Sequence, residues 1–163
     1  MTTAYLAIGS NLGDRIGNLR RAVAMLAPEI ALVAASPLYE TAPAYVVDQP
    51  RFVNGALKVE TALGPAALLK KLKDIEQAVG RQPGLRYGPR IVDLDILFHG
   101  DTVLADAALE IPHPRLAERL FVLRPLSDIA PGLMHPVLHR TVGQLHAALP
   151  DDPAMKRMRE TLQ

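Results

Sequence analysis

Arg90-Ile91-Val92-Asp93-Leu94-Asp95-Ile96-Leu97-Phe98 reads as a strand: apolar and β-branched residues dominate it, and His99-Gly100-Asp101 follows as a turn signal. Side chains alternate along a strand, so Asp93 and Asp95 share one face while Val92, Leu94 and Ile96 point into a core. Two carboxylates this close repel each other and resist desolvation unless a cation lies between them. Mg²⁺ suits that position, because it takes one or two carboxylates and completes its octahedron with water and substrate phosphates. A solvated face on an edge strand is the plainer explanation of a bare Asp-x-Asp. The neighbours weigh on the other side. Tyr87-Gly88-Pro89-Arg90 leads into the strand, Arg81 and Arg86 precede it, and guanidinium forks match phosphate oxygens bidentately. Acids for metal beside arginines for phosphate point to a nucleotide-triphosphate site.

The rest of the chain bounds that reading. Its 163 residues fit one domain, 1–163, with an adequate core, and 49% hydrophobic against 21% charged residues is a globular composition. A net charge of +1 gives no basic field for nucleic acid or membrane. Cysteine is absent, which excludes disulfides and thiolate metal sites and agrees with a reducing, cytoplasmic setting. No apolar run has the length of a membrane span, and the start lacks the basic and apolar regions of a signal peptide. The 14 prolines fall mostly between periodic segments and predict long, shaped loops.

In chain order, 3–8 is a first strand ending in Gly9-Ser10-Asn11. Residues 14–27 are helical, with Ile16, Leu19, Val23 and Leu26 as one stripe, Asp14 as N-cap and Pro28 as the stop. A second strand, 30–39, is demoted to an edge or bulge around Pro37. After a loop over 40–51 comes a third strand, 52–61. Pro65 opens a second helix with Leu68, Leu72, Ile75 and Val79 buried, and Gly80 closes it. The order βαββαβ predicts an α+β fold with a ferredoxin-like core. Its sheet is antiparallel with the two core helices on one face, and C-terminal additions leave helices on both faces. Those additions are short strands at 102–104 and 109–111, helices at 114–120 and 141–149, and a polar, frayed terminal helix at 151–163.

Few motifs stand alone. No Gly-x-x-x-x-Gly-Lys-Ser/Thr loop is present, which excludes a P-loop NTPase. Gly9-Ser10-Asn11-Leu12-Gly13 lies between strand and helix, where backbone N–H groups hold anions; a tight turn explains it as well. His113, in Pro112-His113-Pro114, is a ligand or phosphate donor, or else a histidine ordered by its prolines. Arg119 faces the same cleft or is a solvated helix charge. Asn54, on its own, is a strand asparagine making a local backbone bond. His99, His135, His139 and His146 have no metal spacing and read as surface or structural.

Together these blocks resemble a known family. Tyr5-Leu6-Ala7-Ile8-Gly9-Ser10-Asn11-Leu12-Gly13, then Asp48-Gln49-Pro50 with Phe52-Val53-Asn54, then Gly88-Pro89-Arg90 running into Asp93-Leu94-Asp95, are similar to the 6-hydroxymethyl-7,8-dihydropterin pyrophosphokinases of folate biosynthesis. Ile111-Pro112-His113, Arg119, Phe121 and 126–131 continue the match in order, so it covers about 5–131. The resemblance implies transfer of pyrophosphate from ATP to the pterin hydroxymethyl group, releasing AMP. It implies a catalytic set of Arg81, Arg90, Asp93 and Asp95, with Asp93 and Asp95 holding two Mg²⁺ ions.

For ATP the same resemblance implies Glu76, Arg81, Arg86, Tyr87, Arg90, His113 and Arg119, with Ile96 and Leu109 as an apolar wall for adenine. For the pterin it implies Asn54 as hydrogen-bond partner, Phe52 and Phe121 as stacking rings, Asp93 beside them, and backbone groups of Thr41, Ala42, Pro43 and Ala44. A monomer with no nucleic-acid or membrane partner completes the expectation. Three positions depart from the family pattern: Tyr87 replaces a common tryptophan, Pro114 a common tyrosine, and the 82–86 loop is short. Beyond Met134 the match weakens. Two other classes share the topology. A two-metal nucleotidyl transferase or cyclase would lack the pterin slot. An RNA-recognition module needs stacking aromatics and a basic surface, which 4% aromatic content and the small net charge argue against.

Overall fold

In chain order the computed structural model, which describes residues 1–43, 48–80 and 90–163, begins with strand β1 (Thr2–Ser10) and helix α1 (Arg15–Ala24). Asp14 caps α1 by accepting from Gly17 N at 3.1 Å. The helix ends three residues short of the predicted limit. Pro28 has no N–H to offer, and the residue before a proline is driven out of the helical region, so the last turn is irregular. Strands β2 (Ile30–Ala35) and β3 (Tyr39–Thr41) follow as two pieces around Pro37, as the sequence predicts, and both pair with β4 (Phe52–Thr61). Helix α2 (Pro65–Val79) starts on its proline and ends on Gly80, whose φ of 119° is the left-handed cap that favours glycine.

Strand β5 (Asp93–His99), the short pair β6 (Leu104–Ala105) and β7 (Glu110–Ile111), and a 3₁₀ turn (Leu116–Glu118) lead to α3 (Leu120–Ile129). Helix α4 (Val142–Ala147) and β8 (Lys156–Arg157) complete the chain. The main sheet runs β5-β1-β4-β3-β8 with β2 also on β4, and every pairing is antiparallel.

Two apolar clusters sandwich this sheet. Leu6, Ile8, Val53, Leu57, Leu94 and Ile96 bury against α1 and α2. Tyr5, Ala56, Leu97 and Phe98 bury against α3 and α4. Helices therefore cover both faces, and the alternating strand pattern decides which residues each helix meets. A bulge between Tyr5 and Leu6, opposite Leu97, lets both Leu97 and Phe98 join the α3 cluster.

Two expectations fail. The predicted helix at 114–120 is a 3₁₀ turn, and the long helix begins where that prediction ends. Pro125 sits inside α3 and removes one ladder hydrogen bond, so local propensity argues against a helix there. Burial of Val122, Leu123 and Leu126 outweighs that loss. The predicted terminal helix at 151–163 is absent: Lys156 and Arg157 add a strand to β3, Met158 N donates to Leu38 O at 2.8 Å, and Gln163 bonds the backbone of Val33 and Ala35. A free strand edge offers more unmatched backbone groups to this polar segment than a helix packed on nothing. Among the described residues, no helix is long and apolar enough to cross a membrane.

Candidate active site

On the α3 face, one row of register partners crosses four strands: Asp93 on β5, Gly9 on β1, Asn54 on β4 and Tyr39 on β3. In the adjacent row Asp95 faces Ala7, and Ala7 faces Ala56. Glycine and alanine leave a trough between the acids and the asparagine, about 9–10 Å wide at two strand spacings. Asp93 and Asp95 are half-buried at its edge, one strand apart from bare backbone. Their common face is the one the sequence predicts.

Asn54 is fixed from two sides. Its Nδ2 donates to the buried Thr41 Oγ1 at 2.7 Å. Its Oδ1 occupies the space where a Cβ on Gly9 would stand, 2.6 Å away. Only glycine at position 9 lets the amide lie flat across β1. Phe52, the register partner of Thr41, is half-buried beside it. Ala42 is exposed and Pro43 half-buried at the same corner, whereas Ala44 lies outside the described residues. Phe121, at the start of α3, packs on the cluster that holds Ala7 and so belongs to the trough face. The Arg119 guanidinium lies over the Phe121 ring, 5.6 Å from its centre.

His113 reaches the acids from the other direction. Its backbone N–H donates to Leu97 O at 3.1 Å, placing it beside β5. Burial pushes its imidazole below the usual histidine range; the nearby Asp95 carboxylate opposes this, and Arg119 adds to it. Nδ1 accepts from Arg115 N at 3.1 Å, so the neutral ring carries its proton on Nε2. A neutral donor beside an acid and an arginine can bond a phosphate oxygen without a net charge of its own.

Arg90 stands three residues before β5, held by Asn11. Asn11 Oδ1 accepts from Arg90 N at 2.7 Å, and Asn11 N donates to Arg90 O at 3.0 Å. The same side chain donates through Nδ2 to Gln49 Oε1 at 2.9 Å and to Pro50 O at 3.0 Å. Sequence reading gave Asn11 no role. Its signal was the Gly9-Ser10-Asn11 strand end, but the partners lie 38 to 79 residues away. Tyr39 was missed in the same way: its hydroxyl donates to Asp128 Oδ2 at 2.5 Å, tying the trough floor to α3.

The expected adenine-side residues gather on the opposite face. Ile96 is buried in the α1–α2 cluster, and half-buried Leu109 packs on that cluster. Glu76 has no exposed surface; its Oε2 accepts from Leu94 N at 2.8 Å and its Oε1 pairs with Lys73 at 3.3 Å. It therefore sits behind the acids, where a direct nucleotide contact is closed to it. Arg81, Arg86 and Tyr87 lie outside the described residues.

The donor set fits Mg²⁺. Asp93 and Asp95 offer only hard oxygens, and such a pair leaves room for water and phosphate in the octahedron. Two carboxylates beside phosphate-matching cations, across a trough from an aromatic-flanked amide, are equipped for metal-assisted phosphoryl transfer. A family profile described as 7,8-dihydro-6-hydroxymethylpterin-pyrophosphokinase matches residues 5–131, and the chain belongs to that family. A 2-amino-4-hydroxy-6-hydroxymethyldihydropteridine pyrophosphokinase of Aquifex aeolicus is 39% identical over 86% of this chain and 88% of its own. A folic acid synthesis protein of Dictyostelium discoideum is 44% identical over 90% of this chain, which spans 22% of that relative's length. The crystal structure of wild-type Plasmodium falciparum HPPK-DHPS shares the fold, with a TM-score of 0.73 at 18% identity over 90% of this chain and 44% of that one.

Proposed function

We propose that this protein transfers pyrophosphate from ATP to the hydroxymethyl group of 6-hydroxymethyl-7,8-dihydropterin, releasing AMP, in folate biosynthesis. The row Asp93–Gly9–Asn54–Tyr39 carries the reading, because it sets a metal-binding acid and a ring-reading amide at the two ends of one small-residue trough. A flat heterocycle held by Asn54 between Phe52 and Phe121 extends its substituent over Gly9 and Ala7 toward the acids. Stacking rings and a buried amide select a planar ring with a hydrogen-bonding edge.

Asp93 and Asp95 would hold Mg²⁺, two ions per site, which would supply charge neutralisation on the triphosphate. Arg90, Arg119 and the Nε2–H of His113 approach the phosphate oxygens from the protein side, joined by Arg81, Arg86 and Tyr87. Half-buried Leu109 offers the apolar wall toward adenine, with the buried Ile96 and Glu76 backing it from the α1–α2 side. The substrate hydroxyl oxygen forms a bond to the β-phosphorus while the bond from that phosphorus to the α,β-bridging oxygen breaks. AMP leaves with that oxygen, and the hydroxyl proton passes to solvent. Positioning and charge complementarity supply most of the rate, so no dedicated base is required.

The strand order, with β2 and β3 as one interrupted strand, supports a ferredoxin-like βαββαβ core within a single domain over 1–163. The protein is read as a cytoplasmic monomer acting on small molecules only. AMP release from ATP, measured with and without the pterin, tests the reading. Release should require the pterin and Mg²⁺. Asp93→Ala and Asp95→Ala should each abolish most of the turnover, by several kcal/mol of transition-state stabilisation (roughly a thousandfold). Near-wild-type turnover in either variant would refute the metal role.

A further inference from the structure

Residues 42–51 connect two register partners, Thr41 and Phe52, and a single carboxylate grips the chain at both ends of that connection. Glu40 Oε2 meets Arg15 Nη2 at 2.8 Å, and Glu40 Oε1 meets Arg51 Nε at 3.4 Å. The second contact is an ion pair without hydrogen-bond geometry, since Arg51 Nε is buried and makes no hydrogen bond among the described residues. Arg15 Nη1 donates in addition to Arg51 O at 3.1 Å, and Arg51 Nη2 to Ala154 O at 2.6 Å. The start of α1, β3 and the residue preceding β4 thus converge on one side chain. Because strand neighbours point to opposite faces, Glu40 works from the α1 side while Thr41 faces the trough and accepts the Asn54 hydrogen bond. None of this touches the acids of β5.

We infer that Glu40 is a positioning residue for the ring-binding half of the site, a carboxylate bridging two guanidiniums that fixes Thr41, Phe52 and, through Thr41, Asn54. The inference rests on the pyrophosphokinase reading. All three charged side chains are partly exposed, at 28%, 31% and 40%. Salt therefore screens the clamp, although the pterin it serves is itself uncharged.

The test is steady-state kinetics of Glu40→Gln, with each substrate varied in turn against a saturating amount of the other. The KM for the pterin should rise about three- to tenfold, while kcat and the KM for ATP stay within about twofold. Raising ionic strength should raise the wild-type pterin KM and leave that of Glu40→Gln unmoved, a signature that a purely structural residue would not give. Glu40→Asp, which keeps the charge, should recover part of the loss. Arg15→Gln removes the nearer of the two guanidinium partners and carries the same expectation if Glu40→Gln fails to fold. A pterin KM within twofold of wild type, or an equal rise in both KM values, would overturn the inference while leaving the enzymatic reading intact. A wild-type protein without pterin-dependent AMP release would overturn both.

Discussion

The carboxylate of Glu76, on α2, accepts the backbone N–H of Leu94, the residue between Asp93 and Asp95, at 2.8 Å and with no exposed surface. A helix thereby holds β5 at the one peptide that sets the spacing of the two acids. Glu76→Ala would leave a buried N–H without its acceptor, at a cost of about 1–3 kcal/mol. Urea denaturation should show that loss, and Glu76→Gln, whose amide oxygen still accepts, should recover most of it. Equal stability of Glu76→Ala and wild type would show that Leu94 finds another acceptor.

Gly9 has a different duty, which is to be small. A Cβ there would come within 2.6 Å of Asn54 Oδ1 and only 3.5 Å from the Val53 carbonyl, so the asparagine must turn while the backbone stays. Gly9→Ala should therefore fold with a stability loss below the ~1–3 kcal/mol typical of core overpacking. Pterin affinity, followed by calorimetry, should fall at least about tenfold as Asn54 leaves Thr41, with ATP affinity unchanged. Undiminished pterin binding would place the ring elsewhere on the sheet.

His135 makes stability depend on pH. It is 6% exposed, lies edge-on to Phe98 at 5.7 Å, and accepts through Nδ1 from Val137 N and Leu138 N at 3.2 and 3.0 Å. Burial, reinforced by His139, holds its pKa below the usual histidine value. The unfolded chain therefore binds a proton more readily than the folded one. Stability is full above the unfolded value of about 6.5 and declines as pH falls from there toward the lower folded value, by at most ~1.4 kcal/mol per pH unit for one proton. Urea midpoints at pH 7.5, 6.5 and 5.5 should fall more steeply for wild type than for His135→Gln. Parallel lines would mean that His135 titrates alike in both states.

Local signals made much of this legible. Pro65 and Gly80 bracket α2 because each acts through its own backbone, and the alternation of β5 places Asp93 and Asp95 together without reference to any other strand. α3 was illegible across Pro125, since the burial that sustains it comes from the distant Tyr5, Ala56 and Phe98. The strand at Lys156–Arg157 was hidden for a related reason: a sheet edge 118 positions away decides it, as Tyr39 pairs with Arg157 within that ladder. In the site, Asn54 acquired a role only through family resemblance, because a lone strand asparagine has no period or spacing to betray it. Asn11, Tyr39 and Glu40 matter through partners brought close by the whole sheet, and no window of sequence contains both ends of those contacts.

Asn11 offers a way to separate the two halves of the site with one atom. Its Oδ1 serves Arg90, while its Nδ2 serves Gln49 and Pro50, and the residue is 1% exposed. Asn11→Ala removes both sets and leaves Arg90 N without its acceptor, so stability should fall by about 1–3 kcal/mol and both substrates should bind more weakly. Asn11→Asp has the same shape and keeps an oxygen for Arg90 N, but it turns a second oxygen toward the Pro50 carbonyl. Gln49 can rotate its amide to donate; Pro50 has nothing to donate, so repulsion persists on that side alone. Asn11→Asp should then keep ATP affinity within about twofold while the pterin KM rises several-fold, because Phe52 lies two residues beyond the disturbed carbonyl and Arg90 is undisturbed. Calorimetry with a non-hydrolysable ATP analogue and, separately, steady-state titration of the pterin would measure the two. Equal losses in both would mean that Asn11 supports the fold as a whole and favours neither pocket.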